Sequence, residues 1–428
     1  MWYWLYSLAL TAAAVAGAPY WIYKGLRERK YFENFLQRLS LRLPEVRLEA
    51  RPVWIHAVSV GEVLAAKPLA AALAQARPDL PIVVSTVTLT GQALARRELA
   101  SASAVFYFPF DWDWSVARFL RRLDPRAVVL METELWPNFL KLCARRRITV
   151  LLANARLSDR SLRRFRRVPR LIRTMLGQIT LIAAQTQHDR RRFLELGAEE
   201  GRARVTGNLK FDFPAQVAAQ DVALVGAIRS RLAPGGTNPI IVVGSSMKGE
   251  ERLFIDTFLT VRRALPEARM VLAPRHPERF DEVAGLLEQA RIPFCRRSAP
   301  DGAGGSPVEV LLLDTIGELR AVYVLASVAV IGGSFLPPHG GHNLLEPAAL
   351  GRAIVFGPEM ANFAEMARSF VREQAARQCP PESLARALLE LLANPRARDL
   401  LGQRALLTFR QNQGATAATL DILLPRLT

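Results

Sequence analysis

Glu62 follows an apolar run that ends at Val58, in Ser59-Val60-Gly61-Glu62-Val63, which places its carboxylate in the first turn of a predicted helix. There it can take a proton from an attacking hydroxyl. It can also be a first-turn acid favoured by the helix dipole, and spacing alone favours that reading. A second apolar run closes on Met131-Glu132-Thr133-Glu134-Leu135-Trp136-Pro137-Asn138. Two carboxylates at a strand end are unfavourable unless partnered or at work, and strand alternation puts both on one face. The other reading is a capping turn with Trp136 as packing. Lys210, in Gly207-Asn208-Leu209-Lys210-Phe211-Asp212, has an ammonium that suits a phosphate, or is plain surface charge.

Pro274-Arg275-His276-Pro277-Glu278-Arg279-Phe280 holds a strand-end arginine between prolines, rigidly placed for phosphate or for a structural ion pair. Gly332-Gly333-Ser334 and Gly340-Gly341-His342-Asn343-Leu344-Leu345-Glu346-Pro347-Ala348 read as a glycine-rich turn that opens a helix and offers N–H groups to a phosphate. Glu346 lies one helical turn after Asn343, so it shares that face and can accept from ribose hydroxyls. Neither a P-loop nor a dinucleotide fingerprint is present. His342 has no second ligand at metal-binding spacing, so no metal is expected.

Elements that must position these groups alternate along the chain. Predicted strands are Val53–Val58, Ile82–Thr86, Ala127–Met131, Thr149–Ala153 and Leu181–Gln185, then Ile240–Val243, Arg269–Ala273, Val308–Leu313, Val328–Ile331 and Ala353–Phe356. Helix-period segments such as Val63–Ala76 and Glu251–Ala264 separate them. Short apolar strands alternating with helices mean parallel sheets, and two series mean two doubly wound α/β domains with ligands at the strand carboxyl ends. The expected divisions are 1–23, an apolar N-terminal anchor; 24–50, a basic connector; 51–215, a first domain; 216–238, a linker; and 239–428, a second domain. Ala299–Pro307 reads as a loop within the second.

Residues 1–23 carry no charge, hold aromatic residues at both ends and precede Lys24, Arg27, Arg29 and Lys30. That pattern predicts a single-pass or monotopic anchor with the body in the cytoplasm. A cleaved signal peptide needs a basic n-region, which is missing. The 57 Lys plus Arg against 39 Asp plus Glu, a formal +18, imply an anionic partner. The densest basic stretch, Arg160–Arg173, is interrupted by Phe165, Leu171 and Ile172, as suits a helix on an anionic membrane surface. Cys143, Cys295 and Cys379 show neither disulfide nor zinc spacing.

Together, HAVSVGEV, STVTLTGQ, METELWPN, ANARLSDRS, GNLKFD, PRHPERF, DTIGEL, GGHNLLEPAALG and QNQGA occur in an order that resembles the 3-deoxy-D-manno-octulosonate (Kdo) transferase family over nearly the whole chain. The resemblance implies a GT-B fold, a CMP-Kdo donor, a lipid A precursor acceptor (lipid IVA), an inverting reaction in lipopolysaccharide core biosynthesis, and no cofactor or bound metal. It implies that the first domain takes the acceptor and the second the donor, at the inner membrane. By this resemblance Glu62 is the catalytic base, while Glu132 and Lys210 stabilise the transition state. CMP contacts fall on Pro274 and Arg275, on Ile316, Gly317 and Glu318, and on Asn343, Leu344, Leu345 and Glu346. The chain departs from the family pattern at Leu89, where Pro is usual, at Ser246-Met247-Lys248-Gly249-Glu250, where Thr-His-x-Gly-Glu is common, and in the Ala299–Pro307 loop. Two rival readings are a GT-B enzyme with a UDP-sugar donor and a membrane-tethered nucleic-acid-binding protein. The second is disfavoured, because no nucleic-acid-binding module is recognisable.

Overall fold

The computed structural model describes residues 2–27, 35–46, 48–213, 221–236, 238–299 and 308–427. Residues 300–307 of the predicted loop, 216–220 of the predicted linker and 28–34 of the predicted connector lie outside the described residues. The chain divides into two compact units, Met1–Phe213 with Asn412–Thr428, and Pro214–Gln411. The division differs from the sequence reading in two places. The C-terminal segment packs with the first unit instead of ending the second. The helix Val222–Leu232, expected as linker, is part of the second unit, where Ile228 and Leu232 are buried in the core.

The first unit holds a sheet of β1 (Val53–His56), β2 (Ile82–Thr86), β3 (Ala102–Tyr107), β4 (Ala127–Met131), β5 (Thr149–Ala155), β6 (Leu181–Ala184) and β7 (Ala203–Val205). Their order is β3-β2-β1-β4-β5-β6-β7, with every neighbouring pair parallel. Parallel central strands are covered on both faces, which is why β1 and β4 are buried at every position. On one face Trp54, Phe106, Phe108, Phe119 and Phe139 form an aromatic core. On the other, small and aliphatic residues of the helix Val60–Ala76 pack with Leu420 and Leu423 of the C-terminal helix Ala415–Leu423. Chain progression reverses between β1 and β4, and side chains at the carboxyl ends of these strands therefore face a common crevice.

In the second unit the same logic repeats with β8 (Ile240–Ser246), β9 (Arg269–Pro274), β10 (Phe294–Arg296), β11 (Val310–Leu312), β12 (Val328–Ile331), β13 (Ala353–Phe356) and β14 (Arg377–Gln378). The order is β10-β11-β9-β8-β12-β13-β14, again parallel throughout, and the reversal falls between β8 and β12.

The N-terminal segment forms a helix, Trp2–Arg27, with Pro19 inside it. No helix among the described residues is long and apolar enough to cross a membrane, so the single-pass reading is not supported. Its polar groups are turned onto the first unit instead. Gln178 Nε2 donates to Tyr3 OH (2.6 Å), Asn138 Nδ2 to Ser7 Oγ (2.9 Å) and Trp112 Nε1 to Thr11 Oγ1 (3.1 Å). Tyr6 hydrogen-bonds Asp111. Tyr3, Ser7 and Thr11 recur every four residues and so form one stripe. Trp4, Leu8 and Val15 lie on another and are 81%, 62% and 69% exposed.

A second expectation is corrected nearby. Arg160–Arg173 is not one amphipathic helix but parts of two short ones, Asp159–Phe165 and Pro169–Leu176. Ile172 is buried, and Phe165 and Leu171 pack against the same core. Phe165, Leu171 and Ile172 therefore face inward, while Val168 and the arginines are exposed.

Candidate active site

Glu62 sits in the first turn of the helix Val60–Ala76, beyond the carboxyl end of β1. Val58 N–H donates to its Oε2 (2.7 Å) and Ser59 Oγ to its Oε1 (3.0 Å), so the carboxylate does cap the helix it begins. It is only 8% exposed. Burial, reinforced by the charges of Glu134 and Glu132 and opposed by the two hydrogen bonds, pushes its pKa up to about 7. The first-turn reading and the catalytic reading thus describe one side chain. It is fixed by its cap bonds and, near neutrality, has the proton affinity a general base needs.

On the other side of the strand-order reversal, β4 ends at Met131. Glu132 and Glu134 lie beyond it in a turn, not on one strand face as alternation predicts. Glu132 has a left-handed backbone, φ 54°. Its Oε1 receives Lys210 Nζ at 2.8 Å and its Oε2 receives Arg156 Nε at 2.9 Å. Burial opposes ionisation, but Lys210 and Arg156 outweigh it and hold the Glu132 carboxyl below the usual range. Glu132 is therefore a fixed anion that holds two cations. Glu134 lacks such a pair. Burial pushes it up to about 7, with the Trp136 indole opposing and the charge of Glu132 adding to the rise.

Lys210 arrives from the far edge of the sheet, on the one-turn 3₁₀ helix Leu209–Phe211 after β7. Sequence reasoning named Glu62, Glu132 and Lys210, and the structure brings the three into one electrostatic cluster. It did not name Arg156. The available signal was the one that drew attention to Arg275, an arginine just past the end of a buried strand. Two other motif residues are structural. His56 is buried and stacked on Phe108 with ring centroids 3.9 Å apart, its Nδ1 lies 2.9 Å from Ser85 Oγ, and burial pulls its pKa down to about 3, so it stays neutral. Thr88 caps the helix Leu89–Glu98 through Gly91 N–H. A side chain at Gly91 would come within 3.2 Å of Val58 O, the strand end that carries Glu62. Leu89 occupies the first position of that helix, where proline and leucine are both accommodated without losing a backbone bond.

In the second unit the nucleotide candidates lie at strand carboxyl ends on both sides of the β8/β12 reversal. Pro274 ends β9, and Arg275 follows it exposed, its N–H bonded to Ser246 O (3.0 Å). Arg279, by contrast, is committed to Glu251 and Glu282. Ile316, Gly317 and Glu318 follow β11. Ile316 is exposed, Gly317 takes φ 96°, and Glu318 pairs with Arg297 (3.2 Å). After β12, Asn343 Oδ1 accepts from Leu345 N–H (3.0 Å), and Leu344 and Leu345 are buried. Burial raises the Glu346 carboxyl against the pull of Arg320, a hydrogen bond with Asn343, and Arg275. Arg275 thus acts on Glu346 from another strand end, while the glycine-rich turn is less open than expected. Gly333 N–H donates to Glu250 Oε2 (2.6 Å) and Gly341 N–H to Gly333 O (2.6 Å), so neither amide is free for a phosphate. The helix that follows, Leu345–Ala349, is barely one turn. Glu250 also accepts from Met247 and Phe335 N–H, so this buried carboxyl fixes the Ser246–Glu250 turn to the loop after β12. Among the described residues no His, Cys, Asp or Glu cluster is arranged to hold a metal ion.

Two doubly wound parallel units, each with its polar groups at the strand ends around the order reversal, place the protein in the GT-B class. Its fold is similar to that of UDP-GlcNAc 2-epimerase from Neisseria meningitidis, with a TM-score of 0.56 at 12% identity over 87% of this chain and 100% of that one. Residues 28–213 match the family described as 3-Deoxy-D-manno-octulosonic-acid transferase (kdotransferase). The chain is 37% identical to a 3-deoxy-D-manno-octulosonic acid transferase of Bordetella pertussis over 87% of each protein. It is 35% identical to one of Haemophilus influenzae over 88% of this chain and 87% of that one. The chain therefore belongs to the Kdo transferase family and is a glycosyltransferase.

Proposed function

We propose that the enzyme moves Kdo from CMP-Kdo to a lipid A precursor, lipid IVA, in lipopolysaccharide core assembly, with inversion at the anomeric carbon. The observation that supports this best is Glu62, a buried carboxylate with a pKa of about 7 beside the fixed Glu132–Lys210 pair. The acceptor hydroxyl oxygen forms the new bond to the anomeric carbon of Kdo. The bond from that carbon to the CMP phosphate oxygen breaks, and CMP leaves with the electron pair. Glu62 takes the hydroxyl proton. The first unit supplies this base, and the second unit holds CMP through Arg275, Glu346 and their neighbours. Lys210 and Arg275 offset negative charge electrostatically. Mass spectrometry of the product formed from CMP-Kdo and a tetra-acylated acceptor tests the reading. An acceptor gaining whole Kdo residues supports it, whereas turnover of a UDP-sugar in place of CMP-Kdo overturns it.

Arg275→Ala is expected to weaken CMP binding by about 1.5–3 kcal/mol, the value of a hydrogen bond to a charged group. Calorimetry with CMP measures it, and an unchanged affinity removes Arg275 from the nucleotide site.

The N-terminal helix fits a monotopic attachment to the cytoplasmic face of the inner membrane, with its polar stripe on the first unit and Trp4, Leu8 and Val15 outward. Replacing Trp4 and Leu8 by Glu leaves the polar stripe intact. The pair of changes is expected to lower sedimentation with anionic vesicles about tenfold or more, since each buried apolar side chain contributes about 1.5–3 kcal/mol. The exposed arginines of 160–173 add an attraction that fades with salt. Vesicle binding that survives the double substitution at high salt refutes this attachment.

A further inference from the structure

The turn that carries Lys210 is held by residues from distant parts of the chain. On one side, Leu209 N–H donates to Oδ1 of Asn154 (3.0 Å), a buried residue of β5 with φ 54°. Asn208 Oδ1 accepts Lys210 N–H within the turn (3.0 Å). On the other side stands the C-terminal segment. Asp212 Oδ1 accepts Gly414 N–H (2.8 Å) and its Oδ2 accepts Thr416 N–H, across more than 200 residues of sequence. Gln413 Nε2 donates to Phe211 O and Phe213 O, both at 3.4 Å. Gly207, at φ 96°, lets the turn close on the helix, for a side chain there would meet Ala415 Cβ at 3.2 Å. Leu209, Ala415, Leu420 and Leu423 share one core.

An aspartate that caps a helix commonly belongs to that helix. Asp212 instead comes from the turn two residues past Lys210, where the chain leaves the first unit at Phe213. Without the clamp, those residues would keep the Asn154 bond and the burial of Leu209 but lose their tie to the returning chain. Lys210 Nζ needs a fixed base to stay 2.8 Å from Glu132 Oε1, and the clamp supplies it.

We propose that Asp212, with Gln413 and the Gly414–Thr416 backbone, forms a positioning device for Lys210, so that the last helix of the chain is part of the catalytic apparatus. The proposal rests on the reading of Lys210 as a group that stabilises the Kdo transfer transition state. Displacing a group by about an ångström can slow a reaction roughly 100-fold. Asp212→Ala is therefore expected to lower kcat about 10- to 100-fold, while KM for CMP-Kdo, bound by the second unit, changes less than about twofold. Asp212→Asn keeps one acceptor oxygen and is expected to fall between.

The deciding measurement is a double-mutant cycle in the full-length enzyme. In the Lys210→Met background, Asp212→Ala is expected to lower kcat no further, because there is no ammonium left to misplace. An equal further loss in that background, or a wild-type kcat in folded Asp212→Ala, overturns the proposal. If Asp212→Ala does not fold, Asp212→Asn and Gln413→Ala enter the same cycle, with the same two outcomes. Absence of Kdo transfer by the unsubstituted enzyme is a different failure. It refutes the functional reading before any variant is made, and the positioning role falls with it.

Discussion

Replacing Glu62 by Gln is expected to lower kcat about 10²- to 10⁴-fold, the range general-base catalysis supplies, while CMP binding persists. The two cap bonds make this a clean test. A glutamine carbonyl oxygen can still accept from Val58 N–H, and its amide can donate to Ser59 Oγ, so the helix start survives and only the proton acceptor is lost. The pH dependence follows from the sign of the shift. Burial raises the Glu62 pKa to about 7, and the base acts only when deprotonated. Activity should therefore rise with pH through about 7 and fall below it, in a range where an ordinary carboxylate would still be fully ionised. Glu134 also titrates near 7 and interacts with Glu62, so the limb belongs to the pair. Glu134→Gln removes a neighbouring negative charge and should move the limb to lower pH without abolishing activity. Turnover of Glu62→Gln within a few-fold of the unsubstituted enzyme, with the same pH limb, would show that the carboxylate is a helix cap and nothing more.

Lys210→Met should lower kcat about 10²- to 10³-fold, the usual effect of deleting one preorganised electrostatic group. The protein should still fold, because Glu132 keeps Arg156 on its second oxygen. A stability loss of about 1–3 kcal/mol is expected for a largely buried carboxylate that loses one of two charged partners. The Glu132 carboxyl, now held below its usual range chiefly by Lys210 and Arg156 against burial, should move upward. Chemical denaturation and pre-steady-state turnover separate the two effects. A large drop in stability with kcat unchanged would make the Glu132–Lys210 pair structural.

The two doubly wound units, the central strands and three groups of the candidate cluster were legible in the sequence for one reason. Strands buried on both faces must be continuously apolar, so β1, β2, β4, β12 and β13 announce themselves, and polar residues at their ends stand out against them. The four strands that escaped notice, β3, β7, β10 and β14, are the two edges of each sheet. Three of them are two or three residues long and carry Arg204, Arg296 or Arg377, while β3 is longer but opens on the partly covered Ala102-Ser103-Ala104, so none shows a continuous apolar run. Ion pairing was equally hidden. Nothing in the sequence ties Arg156 to Glu132, 24 residues away, or Asp212 to Gly414, 202 residues away, because those distances are set by how strands order themselves in a sheet and by where the chain returns. The pKa of Glu62 was undecidable for the same reason, since a first-turn glutamate in water and one enclosed with two other carboxylates are spelled alike. The sequence by itself determined the central elements, the family and which residues can do chemistry. Tertiary packing decided which of them meet, which are already spent on each other, and which proton is held near neutrality, because burial and the proximity of charges are properties of the folded chain.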